Sequence, residues 1–250
     1  RNRFPTVGCR IAPPAGSLNA AVMQPAGPLA PYVGEASAAY HQEKRAIPAP
    51  ALPWIVRARA ELFQRRIRPT DAVLEWGCGF GWNLAGLTCA RRVGYDVAES
   101  LQPAVEASGI EFLHHPDTVP SGQFDVVICH HALEHVPDPY RVLGEIRRLL
   151  RPAGTLILAV PFEVERRYRR FDPAEPNHHL YSWNVQTLGN VLQAAAFQID
   201  ELGLRVYGYD RRAAVLAVRF RAGESGFRVL RAMLRRLRPI REIAAVVSPG

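Results

Sequence analysis

The sequence predicts an α/β domain wound around a mostly parallel sheet, and three observations predict it. A short apolar run over residues 72–74 ends in the carboxylate of Glu75 and passes straight into glycines at every second position, Gly77, Gly79 and Gly81. Strand-length apolar runs then recur with helix-like stretches between them, the alternation expected of parallel βαβ units. One of those runs, Phe124-Asp125-Val126-Val127-Ile128-Cys129, is nearly all apolar, as a parallel strand covered on both faces should be.

The glycine stretch organises the rest. It reads as a strand, a tight turn and a helix start over residues 83–90. Glycines accept positive φ and let a ligand approach the backbone with no Cβ in the way. A crevice at the carboxyl end of a first parallel strand is where open α/β sheets bind ligands. The dinucleotide fingerprint G-x-G-x-x-G fails here, because Trp82 stands where the third glycine should fall, and no Gly-Lys-Ser/Thr follows. The string Glu75-x-Gly77-x-Gly79-x-Gly81 instead resembles the first motif of the class I S-adenosylmethionine (SAM) methyltransferases. The resemblance spans roughly residues 40–220. It implies a Rossmann-like seven-stranded, mostly parallel sheet with helices on both faces and the last strand antiparallel, with SAM as cofactor and Glu75, Gly77, Gly79 and Gly81 around it.

Ahead of the turn, residues 54–67 show apolar positions at helical spacing, and Pro69 stops the helix. Family helices in this place often cap the SAM pocket. Beyond the turn, residues 92–97 form the second strand. Asp96 lies 21 residues past Glu75. A carboxylate there suits a ribose diol, because it offers two acceptor oxygens and no donor. Val97 would then lie against adenine. Residues 110–113 form the third strand. The family usually places an acid in the following loop for the adenine amino group. The matching position holds His115, with Asp117 two residues on, so either is a candidate.

The fourth strand leads into His130-His131-Ala132-Leu133-Glu134-His135-Val136-Pro137-Asp138-Pro139, which is similar to a segment of the quinone-biosynthesis O-methyltransferases. Asp138 is a good helix N-cap and Pro139 a good first helical residue. Residues 155–160 form the fifth strand. A loop rich in arginine and aromatic residues follows over 161–182, at the same sheet edge as the glycine turn. His178, His179 and Tyr181 in it are candidates for contact with a methyl acceptor. Another amphipathic helix covers 185–195, and residues 197–206 and 213–220 read as the last two strands. Residues 227–237 read as a basic amphipathic helix, which either packs on the domain or lies on an anionic membrane surface.

Composition bounds the remainder. The chain has 250 residues and is 48% hydrophobic, ample for one large domain. The division expected is a Pro/Ala-rich flexible extension over 1–37, a methyltransferase domain with its cap helices over 38–222, and the basic helix over 223–250. The first 22 residues are expected to be upstream sequence or a dispensable extension. The net charge is +8, but Lys44 is the only lysine among 31 basic residues. That skew looks like a coding bias, so nucleic acid is not an expected partner. The four cysteines show no paired or metal-type spacing. A reducing, cytoplasmic location follows, with the membrane surface as an alternative. No metal is expected, since His131 and His135 have no carboxylate-rich partner set in the sequence.

The function expected is SAM-dependent methylation of a small molecule, most naturally at a hydroxyl oxygen. His135, just past the fourth strand, is the candidate base, and His130 the candidate pocket-lining residue. Two rivals are a catalytically silent SAM-binding scaffold and a nicotinamide-dependent oxidoreductase; the Trp82 spacing argues against the second.

Overall fold

A computed structural model of the chain describes residues 32–34, 47–163, 171–172, 175 and 177–250. Seven strands form one sheet: β1 (Ala72–Trp76), β2 (Arg91–Tyr95), β3 (Glu111–Leu113), β4 (Phe124–His130), β5 (Leu150–Pro161), β6 (Phe197–Tyr207) and β7 (Ile240–Pro249). Their order is β3-β2-β1-β4-β5-β7-β6. The first five pair in parallel. The last strand of the chain, β7, inserts antiparallel between β5 and β6. The expected fold class is therefore the observed one.

The helices are α1 (Leu52–Phe63), α2 (Gln102–Glu106), α3 (Pro139–Leu149), α4 (Val185–Ala194), α5 (Asp210–Arg219) and α6 (Gly223–Leu237). Alternate residues along the strands feed two cores. Leu74, Val127, Leu156 and Leu158 pack with Leu143 and Ile146 of α3 and Leu188 of α4 on one face. Val73, Val126, Ile128 and Ile157 pack with Phe63 of α1 and Val105 of α2 on the other. This is why β4 shows no polar alternation. As expected, Asp138 caps α3, its Oδ1 accepting from the Arg141 amide at 3.0 Å. Asn184 and Thr187 close a capping box at α4.

Two expected elements are corrected. Residues 213–220 are not a strand; they lie mostly in α5, and the seventh strand is β7. The short apolar run was ambiguous in period. Ala213, Ala214 and Ala217 are all buried, a helical spacing of a residue type that favours helix. Residues 83–90 likewise form turns rather than a regular helix. Gly86 sits in the middle of that stretch, against Ala60 and Val56 of α1.

The basic helix packs on the domain. Phe227 is fully buried among Ile55, Ala58 and the three buried alanines of α5, with Leu230 and Leu234 beside it. Arg228 of α6 pairs with Glu61 of α1 at 2.6 Å, and Arg57 pairs with Glu224. Among the described residues no helix is long and apolar enough to cross a membrane.

Candidate functional site

The strand order reverses at β1, which pairs with β2 on one side and β4 on the other. The carboxyl ends of these strands open onto the crevice that such a reversal creates. The glycine turn occupies it. Gly77, Gly79 and Gly81 all have positive φ, of 76°, 53° and 71°. Their reasons differ. A Cβ on Gly77 would stand 2.5 Å from the Cβ of Ala132, and one on Gly81 would stand 2.6 Å from Ile110, so both serve packing. A Cβ on Gly79 would meet nothing within 4 Å. That glycine keeps a space open for something else.

A cavity of about 480 Å³ lies over the turn. Glu75, Gly77, Gly79, Asp96, Val97, His130 and His135 all line it, so most of the residues expected around the cofactor do converge. Gly81 stays behind the wall as a packing residue. Asp96 braces the turn itself: its Oδ2 accepts from the Gly79 amide at 2.8 Å and its Oδ1 from the Ala98 amide at 3.0 Å. Glu75 is fully buried, and burial pushes its carboxyl up to about 8. Asn83 donates to its Oε1, which offsets part of that shift. Its Oε2 is buried with no hydrogen-bond partner. A buried acceptor left bare costs free energy until a donor reaches it, and the amino group of a bound ligand is such a donor.

The end of β4 holds a second set of charges. His131 adopts a φ of 55° and stacks its ring on His130 at 4.4 Å. Its Nε2 donates to Glu242 Oε2 at 2.9 Å, and Arg205 Nε donates to the other oxygen at 2.6 Å. Burial, then the neighbouring His130, push His131 down to about 4. Burial alone would raise Glu242, but the hydrogen bond from His131 and the His130 ring nitrogen 3.4 Å away hold it below the usual carboxylate range. An ionised Glu242 balanced by Arg205 lets His131 stay neutral and still donate. Sequence reasoning missed Glu242 because β7 was not recognised.

His135 stands at the cavity wall with Nδ1 2.7 Å from the hydroxyl of Tyr32. That hydroxyl also reaches the carbonyls of Asn177 at 2.8 Å and His178 at 3.2 Å. Tyr32 thus holds the Nδ1 side of the imidazole, and its Nε2 lies 3.9 Å from Glu134 Oε1. Tyr32 falls in the stretch expected as a flexible lead, yet it is buried and joins the site. No signal in a Pro/Ala-rich segment marks it.

The other expected residues lie apart. His115 precedes a short 3-10 turn, Pro116–Thr118, that contains Asp117, and neither residue lines the cavity. His179 bonds Glu163 at 2.8 Å and sets its ring 4.9 Å from that of His135. Tyr181 donates to the Pro137 carbonyl at 2.7 Å, and the His178 amide donates to Glu175. Of the three, His179 brings its ring against that of His135, and none lines the cavity. The carboxylate partners that the sequence does not show for the histidines are supplied by the fold. Glu242 joins His130 and His131, and Glu134 joins His135 and His179, each set with its donor atoms within 4.8 Å of one another.

Comparisons with known proteins agree with this geometry. A family model described as a methyltransferase domain matches residues 42–202. The ubiquinone biosynthesis O-methyltransferase of Aeromonas salmonicida is 32% identical over 125 residues, covering 43% of this chain and 48% of that protein. The Erwinia tasmaniensis protein of the same name is 34% identical over 122 residues, covering 43% and 47%. A Mycobacterium tuberculosis protein named "Probable S-adenosylmethionine-dependent methyltransferase" is 31% identical over 151 residues, covering 56% and 54%. The chain thus spans about half the length of the curated relatives it matches. Among solved structures, a SAM-dependent methyltransferase from Methanosarcina mazei superimposes with a TM-score of 0.52 at 18% identity, covering 75% of this chain and 96% of that one. The cyclase SpnF superimposes with a TM-score of 0.53 at 17% identity, covering 78% and 79%. Those two likenesses speak to the fold. Motif, sheet order, cavity and family match together place the chain in the class I SAM-dependent methyltransferases.

Proposed function

We propose that the chain transfers the methyl group of SAM to a hydroxyl oxygen of a small-molecule acceptor, with His135 as the base. Three features support SAM as the ligand of the cavity: the open space beside Gly79, the bare buried oxygen of Glu75, and Asp96 at the end of β2. A cavity of about 480 Å³ suits a ligand of that size. When bound, SAM supplies a methyl group already activated by the sulfonium charge. The chain's task is then to hold an acceptor in line, exclude water and take a proton. Glu75 would accept from the amino group, Asp96 from the ribose hydroxyls, and Val97 would cover one face of the base.

The observation that supports the oxygen-acceptor reading is the place of His135 in the cavity wall, with its ring held at Nδ1 by the Tyr32 hydroxyl. The ring is backed by His179, which Glu163 holds in turn. The O-methyltransferase names of the relatives point the same way. The test is His135→Gln, with affinity for S-adenosylhomocysteine and methyl transfer to a panel of catechols and phenols measured separately. Retained affinity with transfer slowed about a hundredfold or more fits a general base. Unchanged transfer removes His135 from the mechanism and turns attention to His179.

A further inference from the structure

The cavity lining also carries positive charge. Arg59, Arg211 and Arg235 all line it, as do Tyr207 and Tyr209. Asp210, the acid among them, is already shared. Arg59 approaches it at 3.5 Å, Arg231 at 3.4 Å and Arg235 at 3.7 Å. Three arginines therefore share one carboxylate, and Arg211 is not among them. The remaining acids of the cavity, Glu75 and Asp96, lie at the glycine end. Glu242, the further acid that acts on Arg235, is already paired with Arg205 and bonded to His131.

The arginines divide by position. Arg59 lies over the ring of Trp82, and its charge reaches Glu75, which places it on the cofactor side. Arg235 donates to the Gly208 carbonyl at 3.1 Å, and its crowding by burial and Arg231 lowers its pKa, the direction an incoming anion would reverse. Arg211 sits in the first turn of α5, exposed, with no ion-pair partner among the described residues. The amino end of a helix adds field of the same sign.

We propose that Arg211 and Arg235 hold an anionic group, a carboxylate or a phosphate, of the methyl acceptor. The inference rests on the methyltransferase reading of the cavity and narrows its substrate class to acidic small molecules. Tyr207 and Tyr209, which also line the cavity, would offer ring surface to an aromatic body, while the arginines would supply charge-assisted hydrogen bonds.

The experiment uses the full chain saturated with S-adenosylhomocysteine, titrated calorimetrically with 3,4-dihydroxybenzoate, phenyl phosphate and the uncharged 3,4-dihydroxybenzamide. The expected result is that at least one anion binds about tenfold or more tightly than the amide. Which anion prevails tells carboxylate from phosphate. Arg211→Gln and Arg235→Gln should each erase the preference and leave S-adenosylhomocysteine affinity within about twofold. Arg211→Gln breaks no bond within the chain, so it is the cleaner of the two. Equal binding of anions and amide, or no binding of any of them, overturns the proposal. So does a loss of S-adenosylhomocysteine affinity in the Arg211 variant, which would assign the arginines to the cofactor's own carboxylate. If the wild-type chain fails to bind S-adenosylhomocysteine at all, the methyltransferase reading fails first and this inference goes with it.

Discussion

Glu75 offers a prediction that the structure makes quantitative. Its carboxyl is fully buried at the end of β1 and raised to about 8, so the folded chain keeps a proton that the unfolded chain has released. The sign follows. A raised folded pKa contributes stability that is fully present below the unfolded value, near 4.5, and is lost as pH rises through 8. Each pH unit in that window costs about 1.4 kcal/mol. From pH 6.5 to 8 the wild-type chain should lose on the order of 1.5 kcal/mol relative to Glu75→Gln, allowing for half-ionisation at the top of the range. The amide keeps the size of the side chain and carries no proton to lose. His131 and Glu242, both lowered, contribute fully above about pH 6.5, and in any case cancel between the two proteins. Urea denaturation of the ligand-free chain at four pH values in this range measures the difference directly. Stability curves that run parallel for wild type and Glu75→Gln would refute a protonated, desolvated Glu75. The same ionisation should make affinity for S-adenosylhomocysteine rise between pH 6.5 and 8, because a bound ammonium favours the charged carboxylate.

The remaining predictions concern space and packing. Gly79→Arg and Asp96→Ala should each weaken S-adenosylhomocysteine binding at least a hundredfold by calorimetry. The first fills the open space beside the turn and the second removes its brace. Gly79→Arg should melt within a few degrees of wild type, since strain at a positive φ costs about 1–2 kcal/mol, and Asp96→Ala should lose about 1 kcal/mol for each of the two hydrogen bonds it removes; wild-type affinity in both would remove the motif from the site. Gly77→Ala should behave oppositely. Its Cβ runs into Ala132, so urea denaturation should show a loss of about 2 kcal/mol or more, and an unchanged midpoint would mean that β1 and the turn after β4 are not locked together. Phe227→Ala should cost about 3–5 kcal/mol, as expected for a fully buried ring, whereas a helix lying free of the domain would register almost nothing.

What the sequence revealed and what it hid divide along physical lines. The first five strands were legible because parallel strands buried on both faces are apolar runs, and because glycines at every second position admit few structures other than a ligand-side turn. Asp96 was legible by its distance from Glu75. The sixth strand was legible too, but β7 was not: Ile240-Arg241-Glu242-Ile243 opens with two charges, and a helix of strong basic pattern runs directly into it. With β7 went Glu242, whose charge matters only because the sheet brings it to His130 and His131 from 111 residues away. Residues 213–220 show the converse error, since a run of alanines and valines satisfies a strand pattern until packing selects the helix. Tyr32 carried no periodic signal, and its role depends on a single hydroxyl meeting His135 across 103 residues of chain. Local pattern exposes elements; contacts between distant single side chains leave no local trace.

The cavity over the glycine turn is the expected seat of S-adenosylmethionine. Trp76 and Trp82 both line that cavity, so a ligand seated there should change the intrinsic fluorescence of the chain. The most direct measurement is a fluorescence titration of the full chain with S-adenosylhomocysteine and, in parallel, with NAD. S-adenosylhomocysteine at micromolar concentration should give a saturable change that is lost in Asp96→Ala, and NAD should give none. Saturation by NAD in place of S-adenosylhomocysteine, or a response to S-adenosylhomocysteine that Asp96→Ala leaves intact, would contradict it.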